Sequence, residues 1–265
     1  MNREYCRMNQ ADNDMKKRES SGRSGRCILV CAGEYVPVRD AAWQLEKRPG
    51  DFVIAVDAGL FHLMREGIRP DMILGDFDSL VDCGTEEERA ALQELLKEYE
   101  AKGGQSFHRL PVVKDDTDTM AAARAGIGMG YREFVIYGGL GGRLDHTMAN
   151  VQTLLWIKRH GGHAWLAADG NRATVIEAEE LEIPAGFEGT VSVFALDKTL
   201  RGVEISGLLY NVQDAEITND YPIGCSNEKL AGAPGRIRIA EGAALVVMID
   251  KLINRHQISL NSRSE

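Results

Sequence analysis

Long apolar runs are missing from this 265-residue chain. No stretch approaches the ~18 consecutive apolar residues of a membrane-spanning helix, so no helical span is expected. A cysteine framework is missing as well. Cys6, Cys27, Cys31, Cys83 and Cys225 are odd in number and form no CxxC pair. That argues against a disulfide scaffold and for a reducing, cytoplasmic setting. Cys27 and Cys31 share one face of an expected strand, with no His or third Cys close in sequence, and read as small buried hydrophobes rather than a metal pair. An excess of positive charge is lacking: 31 Lys/Arg stand against 40 Asp/Glu. The net charge of −9 argues against a nucleic-acid partner. A small anion such as ATP stays open, because a bound metal and a local arginine offset the field. Two familiar phosphate-binding signatures are also absent: no glycine turn is followed by Lys-Ser/Thr, and none has GxGxxG spacing.

The first 26 residues lack almost all apolar side chains. They hold seven Lys/Arg against four Asp/Glu, which leaves −12 for the remainder. Such a segment cannot offset the entropy of its own ordering. It has no signal-peptide core either, and is expected to be a disordered tail or a translation-start extension.

What is present begins at residue 27. "CILVCAG", "DFVIAVDAG", "DMILGD", "FHRLPVV" and "EFVIYGG" read as buried strands. Between them lie helical patterns near Asp40–Lys47, over 60–66, 85–102 and 117–130, and then over 145–161. Thr85 and Glu88 form a capping-box signature. Continuous apolar strands alternating with helices imply an α/β fold, a parallel sheet covered on both faces over 27–162. From 163 to 256 the rhythm changes to short β runs separated by Gly, Asn, Asp and Pro. This second region reads as an antiparallel sandwich or barrel.

Carboxylates cluster where strands end. Asp57 follows "FVIAV", Asp76 and Asp78 follow "MIL", Asp115, Asp116 and Asp118 follow "LPVVK", and Asp145 opens the helix after "GGLGGRL". Any one of them is explained as a helix cap. Four such loops on one sheet edge, where open α/β sheets bind ligands, point instead to a hard divalent cation such as Mg²⁺. In "GGLGGRLDH" (138–146), glycines permit close backbone approach to a phosphate and Arg143 offers a planar fork. Lys114 reads as a phosphate contact or an exposed charge. His146 sits near a helix start with a solvent or capping role, and the tryptophans read as packing residues.

The motifs "DAG", "GDFDS", "KDDTDT" and "GGLGGRLDHTMANV", followed by "GLLYNV" and "GCSNE", resemble the thiamine pyrophosphokinase family over roughly 27–250. The resemblance implies a Rossmann-like α/β domain followed by a β-sandwich, and a homodimer. It implies transfer of the diphosphate of ATP to the hydroxyl of thiamine, leaving AMP. By the match, Asp57, Asp76, Asp78 and Asp118 are the catalytic candidates, and Asp76, Asp78 and Asp118 the Mg²⁺ ligands. Thr117, Gly139, Arg143 and Asp145 would contact the nucleotide. Ser226 and Asn227 would line a thiamine pocket reached across the dimer. The other readings are a Mg²⁺-dependent phosphoryl or diphosphoryl transferase with a different alcohol acceptor, or a non-catalytic nucleotide- or thiamine-binding module.

Overall fold

The computed structural model describes residues 23–77, 80, 83–110, 116–230 and 232–251. Five short apolar segments form parallel strands: β1 (Arg26–Val30), β2 (Phe52–Val56), β3 (Met72–Gly75), β4 (Phe107–Arg109) and β5 (Glu133–Tyr137). Their helices are α1 (Gly59–Arg65), α2 (Glu86–Lys102), α3 (Asp118–Gly128) and α4 (Leu144–Arg159). The capping box at α2 forms as expected, with Thr85 accepting from the Glu88 amide and the Glu88 carboxylate accepting from the Thr85 amide.

Side-chain alternation along β1 sorts the helices onto two faces. Cys27, Leu29 and Cys31 pack with Ala122, Ala123 and Ile127 of α3 and Val151, Leu154 and Ile157 of α4. Ile28 and Val30 pack with Leu60 and Leu63 of α1 and Leu92 and Tyr99 of α2. Burial of the Cys27 thiol pushes its pKa up, as a buried hydrophobe requires.

The β-rich half contributes β6 (His163–Ala168), β7 (Asn171–Glu177), β8 (Glu180–Ile183), β9 (Gly189–Ala195), β10 (Thr199–Ser206), β11 (Val212–Thr218), β12 (Asn227–Glu228), β13 (Gly235–Arg238) and β14 (Ala243–Asp250). Strand β6 pairs parallel with β5 and antiparallel with β7. One ten-stranded mixed sheet therefore runs through the expected break at residue 163, in the order β12-β9-β14-β7-β6-β5-β1-β2-β3-β4. A second, antiparallel sheet has the order β11-β10-β13-β8. Ile176, Val191, Val193, Val246 and Met248 of the large sheet share a core with Leu200, Val203, Ile205 and Ile237 of the small one.

Two expectations need correction. The helix near Asp40–Lys47 is only a 3₁₀ turn, Ala41–Trp43. Its segment is held by long-range ion pairs instead: Arg39 Nε donates to Asp169 Oδ2 at 2.9 Å and Arg172 Nη2 to Asp40 Oδ2 at 2.6 Å. The second concerns Arg26, placed in the expected tail. It is the first residue of β1, and its guanidinium bonds Asp51 Oδ2 at 2.6 Å. Residues 1–22 lie outside the described residues. Among the described residues, no helix is long and apolar enough to cross a membrane.

Candidate active site

After β4 at one edge of the large sheet, the chain crosses to β5 on the far side of β1. The order of parallel strands reverses there, and a crevice opens beyond their carboxyl ends. A cavity of ≈750 Å³ fills that position. It is lined by residues just past β1 (Cys31, Gly33, Glu34), β2 (Asp57), β3 (Asp76) and β5 (Gly138, Gly139), and by the starts of α3 and α4. Asp57, Asp76, Thr117, Asp118, Gly139 and Arg143, singled out in sequence, all line it.

Local backbone geometry explains the "GDFD" motif. Asp57 has a φ of 51° and Phe77 one of 66°, both in the left-handed region that non-glycine residues seldom enter. The Asp57 amide donates to Leu74 O at 2.8 Å, and Asp57 Oδ1 accepts from the Phe77 amide at 3.2 Å. Gly75 is needed beside them, because a Cβ there would stand 2.9 Å from Asp57 Cα. The Phe77 ring turns inward, 7% exposed, and stacks on Phe107 at 5.5 Å. Asp76 is thereby set on the cavity wall between an anchored ring and a close backbone crossing. Asp78 and Asp115, like Lys114, lie outside the described residues.

The start of α3 supplies the next carboxylates. Thr117 is its N-cap and accepts from the Met120 amide at 3.2 Å, while Asp118 opens the first turn. Asp116 lines the cavity and pairs with Arg124 at 2.6 Å.

The glycine turn is built by close approach. The Gly33 amide donates to Gly138 O at 3.0 Å, and a Cβ on Gly138 would fall 2.4 Å from Cys31 O. Asn150, buried in α4, donates through Nδ2 to Gly139 O at 2.8 Å and holds the turn open. Arg143 projects exposed from the end of the turn and is bound by Asp145, Nη2 to Oδ2 at 2.6 Å. That guanidinium lowers the Asp145 pKa to about 2. Asp145 itself does not line the cavity; it holds the arginine that does.

Sequence reasoning missed Gly33, Glu34, Thr119 and Asn150. The readable signal was the glycine ending "CILVCAG", the counterpart of the one ending "EFVIYGG". Asn150 falls within the "GGLGGRLDHTMANV" motif, but its mid-helix place suggested no role. Cys31 lines the cavity floor with its Sγ 3.4 Å from Thr119 Oγ1. Burial pushes its thiol up to about 12, which leaves it without thiolate reactivity.

Ser226 and Asn227 are not brought to this cavity. Asn227 lines a second one, of ≈400 Å³, with Val191, Ile205, Tyr210, Ile223 and Cys225. Its carboxamide clamps the Tyr210 backbone: Oδ1 accepts from the amide at 2.9 Å and Nδ2 donates to the carbonyl at 2.7 Å. Ser226 is exposed, has a φ of 58°, and donates its amide to Ser192 Oγ at 2.9 Å.

The described lining of the large cavity carries five carboxylates, Glu34, Asp57, Asp76, Asp116 and Asp118, against one guanidinium, Arg143. Such a wall repels an anion unless a further cation enters with it. Among the described residues, no three His, Cys, Asp or Glu form a metal-binding group by themselves. That donor set suits Mg²⁺, which takes one or two protein carboxylates, keeps waters, and completes its shell with substrate phosphates.

Residues 44–166 match the family model for the thiamin pyrophosphokinase catalytic domain. The matched stretch contains Asp57, Asp76, Thr117, Asp118, Gly139, Arg143 and Asp145, and ends before Ser226 and Asn227. The thiamine pyrophosphokinase of Bacillus subtilis (strain 168) is 26% identical over 195 residues, which are 73% of this chain and 85% of that protein. The crystal structure of thiamine pyrophosphokinase from Bacillus subtilis aligns with a TM-score of 0.71 at 23% identity, covering 86% of this chain and 100% of that one. The thiamin pyrophosphokinase from Candida albicans aligns with a TM-score of 0.65 at 13% identity, over 85% and 89% of the two chains. At these identities the structural likeness establishes a shared fold.

Proposed function

From the premise that this chain belongs to the thiamine pyrophosphokinase family, we propose that it transfers the diphosphate of ATP to the hydroxyl of thiamine, giving thiamine diphosphate and AMP. The observation that carries the reading is the single cavity at the strand-order reversal. It gathers an excess of carboxylates and a glycine turn ending in Arg143.

In this reading the glycine turn and the start of α4 take the triphosphate, with Arg143 contacting its oxygens. Asp76 and Asp118, with Asp78 from outside the described residues, hold Mg²⁺, and Asp57 stands beside them. When bound, the ion neutralises charge on the diphosphate being transferred. Thr117 fixes the start of α3 and so the position of Asp118. One of the cavity's carboxylates accepts the proton of the attacking hydroxyl.

The finer organisation belongs to the same proposal. Residues 27–162 carry ATP and Mg²⁺. Residues 163–256, read as a β-sandwich from the core its two sheets share, carry thiamine recognition and dimer contact. Exposed Leu209, Tyr210, Tyr221 and Ile223 beside the Asn227 clamp support an apolar contact with a second copy. A cytoplasmic setting fits the four described cysteines, all free thiols.

The test is incubation with ATP, Mg²⁺ and thiamine, with products resolved by chromatography. AMP with thiamine diphosphate is expected. ADP would indicate transfer of a single phosphoryl group, and no turnover a binding module; either result refutes the proposal.

A further inference from the structure

Glu34 is the one described carboxylate of the large cavity that the sequence motifs did not mark. The backbone on either side of it is anchored. The Gly33 amide donates to Gly138 O at 3.0 Å, and Gly33 O stands 3.0 Å from His62 Nε2. The Tyr35 ring packs on His62 at 5.2 Å and edge-on to Tyr137 at 6.4 Å. Between these anchors the Glu34 side chain lies across the glycine turn. A Cβ on Gly141 would stand 3.0 Å from Glu34 Oε2 and 3.3 Å from its Cδ. Gly141 has a φ of +83°, so the turn excludes a side chain at this position on two grounds, and the space is taken by the carboxylate. Glu34 is exposed and has no hydrogen bond or ion pair with any described residue.

A carboxylate lying over a glycine turn proposed to bind phosphate is repelled by phosphate, and an ionised carboxylate only accepts hydrogen bonds. The cation of the proposed site is assigned to Asp76, Asp78 and Asp118, which leaves Glu34 to accept from a donor on the ligand. The phosphates of ATP offer none. The vicinal hydroxyls of the ribose do, and the ribose is joined directly to the α-phosphate, one link from the turn that Glu34 covers. Two carboxylate oxygens match two adjacent hydroxyls. An acidic side chain reading ribose hydroxyls beside a glycine-rich phosphate turn is a known solution in other nucleotide folds. We propose that Glu34 accepts hydrogen bonds from the ribose hydroxyls of the bound nucleotide and selects ribonucleotides over deoxyribonucleotides. This assignment rests on the reading of the cavity as an ATP site.

The experiment is calorimetric binding of Mg²⁺ with ATP, 2′-deoxyATP and 3′-deoxyATP to the wild-type chain and to E34A. Glu34 is exposed and without a partner among the described residues, so the thermal midpoint of E34A should match wild type. Wild type is expected to bind ATP about tenfold more tightly than at least one deoxy analogue, the effect of one hydrogen bond to a charged group. E34A is expected to lose about tenfold for ATP and to bind ATP and that analogue within about twofold of each other. Undiminished discrimination in E34A overturns the assignment, and so does unchanged ATP affinity. A loss in E34A that inosine triphosphate does not share would assign Glu34 to the adenine amino group and also overturn it. ATP binding without discrimination by wild type sinks the role of Glu34 alone. Failure of wild type to bind any nucleotide removes the ATP reading, and this inference with it.

Discussion

Phe77 decides where Asp76 points. Its ring is held on Phe107, its φ is 66°, and its amide is bound by Asp57, so the two strand-end carboxylates are placed by one buried aromatic. Asp76→Asn should therefore fold normally and lower turnover at least ~100-fold, since a group that holds charge in the transition state is worth several kcal/mol. Steady-state kinetics with a Mg²⁺ titration checks this; an unfolded variant, or one with unchanged turnover, would refute it. Asp145 makes a different prediction. Its folded pKa of about 2 lies below the ~3.9 of an unfolded chain, because Arg143 hydrogen-bonds its ionised form. The sign follows from linkage: the favourable pairing is fully present above about pH 4 and is lost as pH falls through 2. Titration by NMR should find the Asp145 carboxyl near 2, and Arg143→Ala should return it toward the ordinary range. At this scale much was legible. Asp57, Asp76, Asp118 and Arg143 were marked by their places after apolar runs or in the glycine turn. Glu34 and Asn150 were not, because their roles come from residues more than ten positions away, Gly141 and Gly139.

Short elements place the second cavity. Strand β12 is only Asn227–Glu228, and it pairs with Val191 and Thr190 of β9. Asn227 then reaches from this strand to fix the Tyr210 backbone, so its carboxamide is engaged before any ligand arrives. Asn227→Ala should remove both hydrogen bonds to the part-buried Tyr210 backbone, a cost of about 1 kcal/mol for each. The thermal midpoint should fall by several degrees. If the proposed thiamine role holds, the KM for thiamine should rise more than that for ATP. An unchanged midpoint would show that the clamp adds nothing. Element boundaries were readable where local chemistry set them, as with the Thr85–Glu88 box of α2. The segment at Asp40–Lys47 misled, because Asp40 and the adjoining Arg39 serve ion pairs to Arg172 and Asp169 rather than a helix face. Those partners follow it by about 130 positions.

The whole molecule is tied together at its first strand. Arg26 bonds Asp51, whose side chain is 3% exposed, and β1 sits centrally between β5 and β2. Removing residues 1–22 should leave activity and thermal midpoint unchanged. Removing residues 1–26 deletes Arg26 and leaves the Asp51 carboxylate with the Arg48 amide as its remaining described partner, a loss of about 2 kcal/mol. The midpoint should then drop by about 4–8 °C. Differential scanning calorimetry of the two truncated chains separates the cases, and equal midpoints would show that Arg26 is dispensable.

Local order and chemistry came from the sequence by itself. Apolar runs of strand length, capping residues and acidic strand ends are properties of contiguous residues, and backbone sterics with solvent exclusion make them readable one segment at a time. Pairing came only from the tertiary structure. Whether β6 joins β5 or opens a new sheet depends on which edge is free once the core has closed. Whether Glu34 meets Gly141 depends on β1 and β5 lying side by side. Those choices are made by long-range burial and hydrogen bonding, which no single stretch of residues encodes.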